Sequence, residues 1–332
     1  MCYLCSGPLD GITLTDAQIL EASKCVNLEG GRVPVTIITG FLGSGKTTLL
    51  NHLISTSDKR ICVVQNEFGS VPVDDIFVSN SSSFATVVST SSGCMCCKVN
   101  GDMVLAFKDL SESKQKFDSV IIETSGLSEV TPVAQSFFAD PFLLGNFYLD
   151  AIVTVSSDLF DENELTVEQL SLADIILVNK VDLLEDVGKR IEQLVEINPA
   201  ATVISCTRGN VDPKLVLDIK SFSVTKVLDL KSSTIHRHHE YGSVCLERSE
   251  DIDELAFTDW LEEMLREGTC YRCKGVVCFA KVETPASVQC VKQHIEIDYL
   301  ENYHPLNRKS TLVFIGQKLN RDRLEKSFGA LC

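Results

Sequence analysis

"RVPVTIITGFLGSGKTTLLNHLIS", residues 32–55, decides the fold. Its first eight residues, six of them β-branched, carry a near-continuous apolar run and read as a buried strand. "GFLGSGKT", Gly40 to Thr47, then matches the pattern G-x-x-x-x-G-K-[ST], and "KTTLLNHLIS" reads as a helix. A strand, a glycine-rich loop and a helix in that order predict a P-loop, in which backbone amides of Gly43 to Thr48 turn inward around phosphate oxygens. Gly40, Gly43, Ser44, Gly45, Lys46, Thr47 and Thr48 form the predicted cradle. The pattern places Lys46 to reach the β- and γ-phosphates and Thr47 to ligate Mg²⁺.

Working outward, residues 33–220 alternate short apolar runs with helical stretches, which predicts an α/β fold, a P-loop NTPase with a mainly parallel sheet. The strand candidates are "RVPVTIIT" (32–39), "RICVVQ" (60–65), "DSVIIET" (118–124), "DAIVTV" (150–155), "ADIILVN" (173–179) and "ATVIS" (201–205). Each reads as buried on both faces, and "ATVVS" (85–89) is a further short candidate. "MVLAFKDLSESKQ", "VEQLSLA" and "VGKRIEQLVEIN" fit helices. The last helix before residue 220 is predicted from "VDPKLVLDIKS", with Asp212 as cap and Pro213 in the first turn. Residues 1–32 read as an N-terminal extension and 221–243 as a His-containing linker. Residues 244–332 read as a small α+β domain with helices at "ELAFTDWLEEMLRE" and "NRDRLEKSFG" and strands at "VVCFAKVE" and "STLVFIG".

Two further motifs follow predicted strands. In "DSVIIETSG", Glu123 is the acidic candidate for organising Mg²⁺ and Gly126 the residue able to approach a γ-phosphate. In "NKVD", the Asp182 carboxylate matches the ring N–H and exocyclic amine of guanine, which adenine does not offer, and Lys180 packs along the base. Asn179, Lys180 and Asp182 therefore favour GTP over ATP, with "SCTRG" (205–209) completing the base pocket.

Composition sets limits. The chain has 332 residues, 44% hydrophobic and 23% charged, with a formal net charge of −16. That charge argues against nucleic acid and against an anionic membrane surface, both of which require basic patches. With neither a basic, apolar leader nor a long apolar run, the chain is expected to be cytoplasmic. In a reducing compartment its 14 cysteines are expected to be mostly free thiols.

These motifs, with "NEFG" (66–69), "GCMCC" (93–97), "IETSGLSEVTP" (122–132), "RCKGV" (272–276) and "LVFIGQKLNRDRLE" (312–325), resemble the CobW family of P-loop GTPases, which includes zinc-regulated metallochaperones. The resemblance implies GTP hydrolysis coupled to delivery of zinc, or in some members cobalt, to a client protein. Glu67 remains as the acidic residue of the switch-like segment, where Gln65 and Ser70 stand at positions that are often acidic in the family.

"SSGCMCCKVNGD", residues 91–102, places Cys94, Cys96 and Cys97 within four positions. Three thiolates suit Zn²⁺ or a similar soft ion and leave a coordination position open for transfer, where structural zinc sites close with four ligands. A redox switch beside Lys98 and plain packing are the competing readings. Cys2 and Cys5 form a terminal C-x-x-C. Cys270 and Cys273 form another, read as packing because residues three apart on a strand face opposite sides. His236, His238 and His239 read as a weak metal-collecting arm or a polar loop. The expected function is a GTP-hydrolysing metallochaperone; a regulatory GTPase with redox-sensing thiols and a metal buffer are the alternatives. The second domain is the expected surface for a client or for a homodimer.

Overall fold

The computed structural model describes residues 31–66, 86–89, 98–112, 117–157, 163–221, 241–300 and 308–331. The first sheet contains β1 (Val33–Thr39), β2 (Ile61–Asn66), β3 (Thr86–Ser89), β4 (Ser119–Thr124), β5 (Phe147–Ser156), β6 (Ile175–Val178) and β7 (Thr202–Ser205). Its order is β3-β2-β4-β1-β5-β6-β7, and every pairing is parallel. Parallel neighbours require crossovers, supplied by α1 (Lys46–Thr56), α2 (Lys98–Glu112), α3 (Thr131–Ala139), α4 (Pro141–Asn146), α5 (Glu164–Leu172) and α6 (Val187–Ile197).

Helices on both faces account for the continuous apolar strands. β4 and β6 are buried along their whole length. On one face Ile37, Val64, Val120, Ile122 and Ile152 pack with Phe107, Phe137 and Leu143 from α2, α3 and α4. On the other, Ile38, Val63, Ile121 and Val153 pack with Leu49, Leu50 and Leu53 of α1. β7 departs from expectation: as the outer strand it leaves Thr202 and Ser205 exposed.

The second sheet contains β8 (Tyr241–Arg248), β9 (Cys270–Val277), β10 (Ala286–Val291), β11 (His294–Tyr299) and β12 (Ser310–Gln317). It runs β11-β10-β9-β12-β8, antiparallel throughout. One face is covered by α7 (Glu254–Arg266) and α8 (Arg321–Gly329), with Trp260, Phe257, Phe279, Phe314 and Phe328 at its centre. Toward the first sheet, the second carries the buried Arg272, Lys274 and Gln289, beside Tyr271 and Val291, which join the first sheet's core.

Several expectations change. Residues 211–221 form only a 3₁₀ turn, Pro213–Leu215, although Asp212 does cap it by accepting from the Lys214 amide. Asp218 and Lys220 adopt positive φ, which ends any helix there. β8 begins at Tyr241, inside the span read as linker, and β9 ends near where "VVCFAKVE" was expected to begin. The charged Arg272 and Lys274 disguise β9, because their partners lie far away in sequence. Cys270 and Cys273 share one core, contrary to the alternation rule, since the β12 ladder shifts between Ile315 and Gly316 opposite Tyr271. Packing remains their role: both are buried, and burial pushes their thiols up.

At the outer strand β11, burial and the neighbouring Asp298 push the Glu296 carboxyl up to about 7, with Arg32 opposing. The folded state therefore holds a proton that the unfolded chain releases near pH 4.5, so stability falls as pH rises through this window. Glu296→Gln is expected to raise the melting temperature at pH 8 and leave it nearly unchanged at pH 4; thermal unfolding at the two pH values checks this.

Candidate functional site

The site forms where β1, β4, β5 and β6 end. Parallel pairing sets Ile38 of β1 beside Glu123 of β4, so the loop leaving β1 begins next to the carboxylate. Open parallel sheets bind ligands in this crevice beyond the strand ends.

The P-loop's shape follows from its glycines. Gly40 has φ +134°, and a side chain there would run into the Val155 carbonyl; Gly45, with φ +105°, would press on the Asn179 amide. Neither conformation suits an L-residue with a Cβ. Gly45 also caps α1 without a side-chain hydrogen bond. The first-turn amides therefore have no acceptor inside the helix and face the crevice at the positive end of its dipole.

Lys46 folds back into this cradle and donates to the Gly40 carbonyl at 2.8 Å and the Phe41 carbonyl at 3.0 Å. Burial lowers its ammonium pKa and the Glu123 carboxylate opposes that shift. Thr47 and Thr48 are exposed at the mouth, and the Thr47 hydroxyl donates to Glu123 Oε1 at 2.7 Å. A hydroxyl and a carboxylate in contact are hard oxygen donors of the type Mg²⁺ takes. Gly126 lies against the P-loop: a Cβ there would sit 2.6 Å from the Leu42 amide nitrogen.

The N-K-x-D motif lies beside the same loop. Asn179 is buried and faces the protein: its Nδ2 donates to the Ser44 carbonyl at 3.0 Å, and its Oδ1 accepts from the Gly209 amide at 3.0 Å. It ties the P-loop to the 205–209 turn. Lys180 turns left-handed at φ +57° and opens the 3₁₀ turn Val181–Leu183, which leaves Asp182 exposed. Cys206 at the neighbouring turn accepts the Val181 amide through its carbonyl at 3.4 Å, closing the two loops into one rim.

The structure thus brings together Gly40, Gly43, Ser44, Gly45, Lys46, Thr47, Thr48, Glu123, Gly126, Asn179, Lys180 and Asp182. Glu67, the thiols Cys94, Cys96 and Cys97, the pair Cys2 and Cys5, and His236, His238 and His239 lie outside the described residues. Among the described residues no group of three His, Cys, Asp or Glu side chains is arranged to hold a metal ion. Sequence reasoning also passed over Asp174, one residue before β6, whose buried carboxylate meets Arg272 and Lys274. The available signal was a set of charges flanking or interrupting otherwise apolar strands.

Removing the Asn179 side chain leaves the buried Ser44 carbonyl and Gly209 amide without this partner, at about 1–3 kcal/mol. Asn179→Ala is expected to lower the unfolding free energy by about that amount, measured by urea denaturation.

Residues 34–205 match the CobW/HypB/UreG nucleotide-binding domain, and residues 241–332 match the cobalamin synthesis protein cobW C-terminal domain. The chain is 29% identical over 316 residues to the zinc chaperone YjiA of Escherichia coli K12, covering 90% of this chain and 98% of that protein. It is 27% identical to the zinc-regulated GTPase metalloprotein activator 1 of Saccharomyces cerevisiae, covering 95% of this chain and 89% of that protein. The crystal structure of Zn(II)-bound YjiA GTPase from E. coli is similar with a TM-score of 0.73 and 26% identity, covering 91% of this chain and 99% of that one. Two family models in chain order, and a fold shared along nearly the whole length, show that this chain belongs to the CobW family of P-loop nucleotide-binding proteins.

Proposed function

We propose that this protein is a GTP-hydrolysing metallochaperone that binds zinc, or a similar transition metal such as Co²⁺, at Cys94, Cys96 and Cys97 and passes it to a client protein. The observation that carries the nucleotide half is the Thr47–Glu123 contact at 2.7 Å across the mouth of the P-loop. In this reading the backbone amides from Gly43 to Thr48 hold the phosphates, and Lys46 exchanges its Gly40 and Phe41 carbonyl partners for phosphate oxygens. Thr47 and Glu123 would hold Mg²⁺, which when bound neutralises charge on the β- and γ-phosphates. Gly126 leaves room for the γ-phosphate, and Asp182 accepts from the guanine edge while Lys180 lies along the base. Water attacks the γ-phosphorus, and GDP and phosphate leave. Glu67 belongs to the segment expected to respond to the nucleotide.

Zinc as cargo rests on the thiol motif and on membership of a family whose relatives are named zinc chaperones. The motif lies in sequence between the switch-like "NEFG" and the Glu123 strand. A segment at that place in the sequence is suited to coupling with the nucleotide state. Three thiolates leave a position for the client's own ligand. The second sheet and its helices are the proposed face for that client or for a second copy of the chain.

Phosphate release from GTP and from ATP, each with and without one equivalent of Zn²⁺, tests the reading. GTP is expected to be the better substrate, and zinc is expected to change its turnover in the wild type but not in Cys97→Ser. Equal use of ATP, or a rate indifferent to zinc, would overturn it. Lys46→Ala removes charge-assisted hydrogen bonds worth about 1.5–3 kcal/mol, and is expected to weaken GTP binding roughly ten- to a hundredfold by titration calorimetry.

A further inference from the structure

The two sheets meet at a buried ionic cluster. Asp174 stands between α5 and β6, with its side chain 1% exposed. Its Oδ1 accepts from Arg272 Nη2 at 2.6 Å and from Lys274 Nζ at 2.8 Å, both on β9 of the other sheet. Oδ2 accepts from the Ile152 amide of β5 at 2.9 Å. The Asp174 backbone continues the stitching: its amide donates to the Ile152 carbonyl and its carbonyl accepts from the Thr202 amide at the start of β7. Arg272 also donates to the Leu172 carbonyl at the end of α5, and Lys274 to the Ser221 carbonyl. Burial alone would raise the Asp174 carboxyl; the two cations outweigh it and hold it down to about 2.

β6 is only four residues long, fully buried, and paired on both sides. Over about 13 Å it joins Asp174 at one end to Asn179, Lys180 and Asp182 at the other. By contrast, β1 and β4, which lead to Lys46, Thr47 and Glu123, are separated from β6 by β5. We infer that Arg272 and Lys274 are positioning residues that set the guanine-recognition loop through Asp174 and β6, so that the second sheet governs how well guanine is distinguished rather than how fast phosphate is cleaved. This rests on the reading of Asp182 as the guanine acceptor.

A purely structural role makes a different prediction. Buried ion clusters are costly, and replacing one with apolar side chains of similar volume is often neutral or stabilising. If the cluster only filled space, its loss would weaken all nucleotides alike or none. As a positioning device it acts on the base edge. By reciprocity, whatever binds the second domain and shifts β9 would then change guanine affinity.

The test uses the full chain and compares GDP with IDP, whose hypoxanthine lacks the exocyclic amine that Asp182 would accept from. Wild type is expected to bind GDP roughly ten- to a hundredfold tighter than IDP, one charge-assisted hydrogen bond's worth. Lys274→Met, which leaves Arg272 to pair with Asp174, and Asp174→Asn are each expected to cut that ratio at least threefold while IDP affinity and saturated turnover change less than twofold. Lys274→Arg is expected to restore the ratio. Retained IDP binding reports an intact fold. Equal losses for GDP and IDP, or an unchanged ratio in both variants, would overturn the positioning role. A wild type without preference for GDP over IDP and ADP would overturn the guanine site itself, and this inference with it.

Discussion

The parallel pairing of β1 with β4 governs the site, because it sets Ile38 beside Glu123 and thereby brings a buried strand-end carboxylate to the loop leaving β1. Two consequences follow from that single register. The Thr47 hydroxyl, in the first turn of α1, reaches Glu123, and Gly126 comes against the Leu42 backbone with no room for a Cβ. A one-residue slip of β4 would turn Glu123 to the opposite face of the sheet and empty the site of its acid. Ile37, Val120 and Ile122 on one face and Ile38 and Ile121 on the other seat both strands in packed cores.

The base side of the site has a second anchor. Asn179 spends its amide on Ser44 and Gly209, so the first residue of the N-K-x-D loop is held between the P-loop and the 205–209 turn. The strand bearing that loop starts at Asp174, where Arg272 and Lys274 of the other sheet converge. The two sheets therefore meet through paired charges beside an apolar contact, in which Tyr271 and Val291 join the first sheet's core. Such a contact is specific in geometry, and breaking it by removing one partner costs more than the pair itself contributes.

The P-loop was legible from the residues alone because glycine at Gly40 and Gly45 answers a backbone requirement that few other residues meet. The long apolar strands were legible for a similarly local reason: burial on both faces leaves an uninterrupted run. What sequence reasoning missed depends on distant partners. β9 was hidden because Arg272 and Lys274 look like surface charges until Asp174, nearly a hundred residues earlier, is placed beside them. The helix expected at 211–221 fails through left-handed conformations at Asp218 and Lys220, neither of which is a glycine that would have announced them. Asn179 carries the predicted motif, and only the folded chain shows that its amide also ties the P-loop to the 205–209 turn.

In the proposed function, nucleotide state and metal carriage are one equilibrium, linking the P-loop to the thiols of Cys94, Cys96 and Cys97. The most direct measurement is the Zn²⁺ affinity of the full chain, by competition with a chromophoric chelator, in the presence of GDP and of a non-hydrolysable GTP analogue. A coupled carrier requires the two affinities to differ, by about tenfold for a coupling free energy near 1.4 kcal/mol. The difference should disappear in Cys97→Ser. Equal zinc affinity in the two nucleotide states would contradict the account.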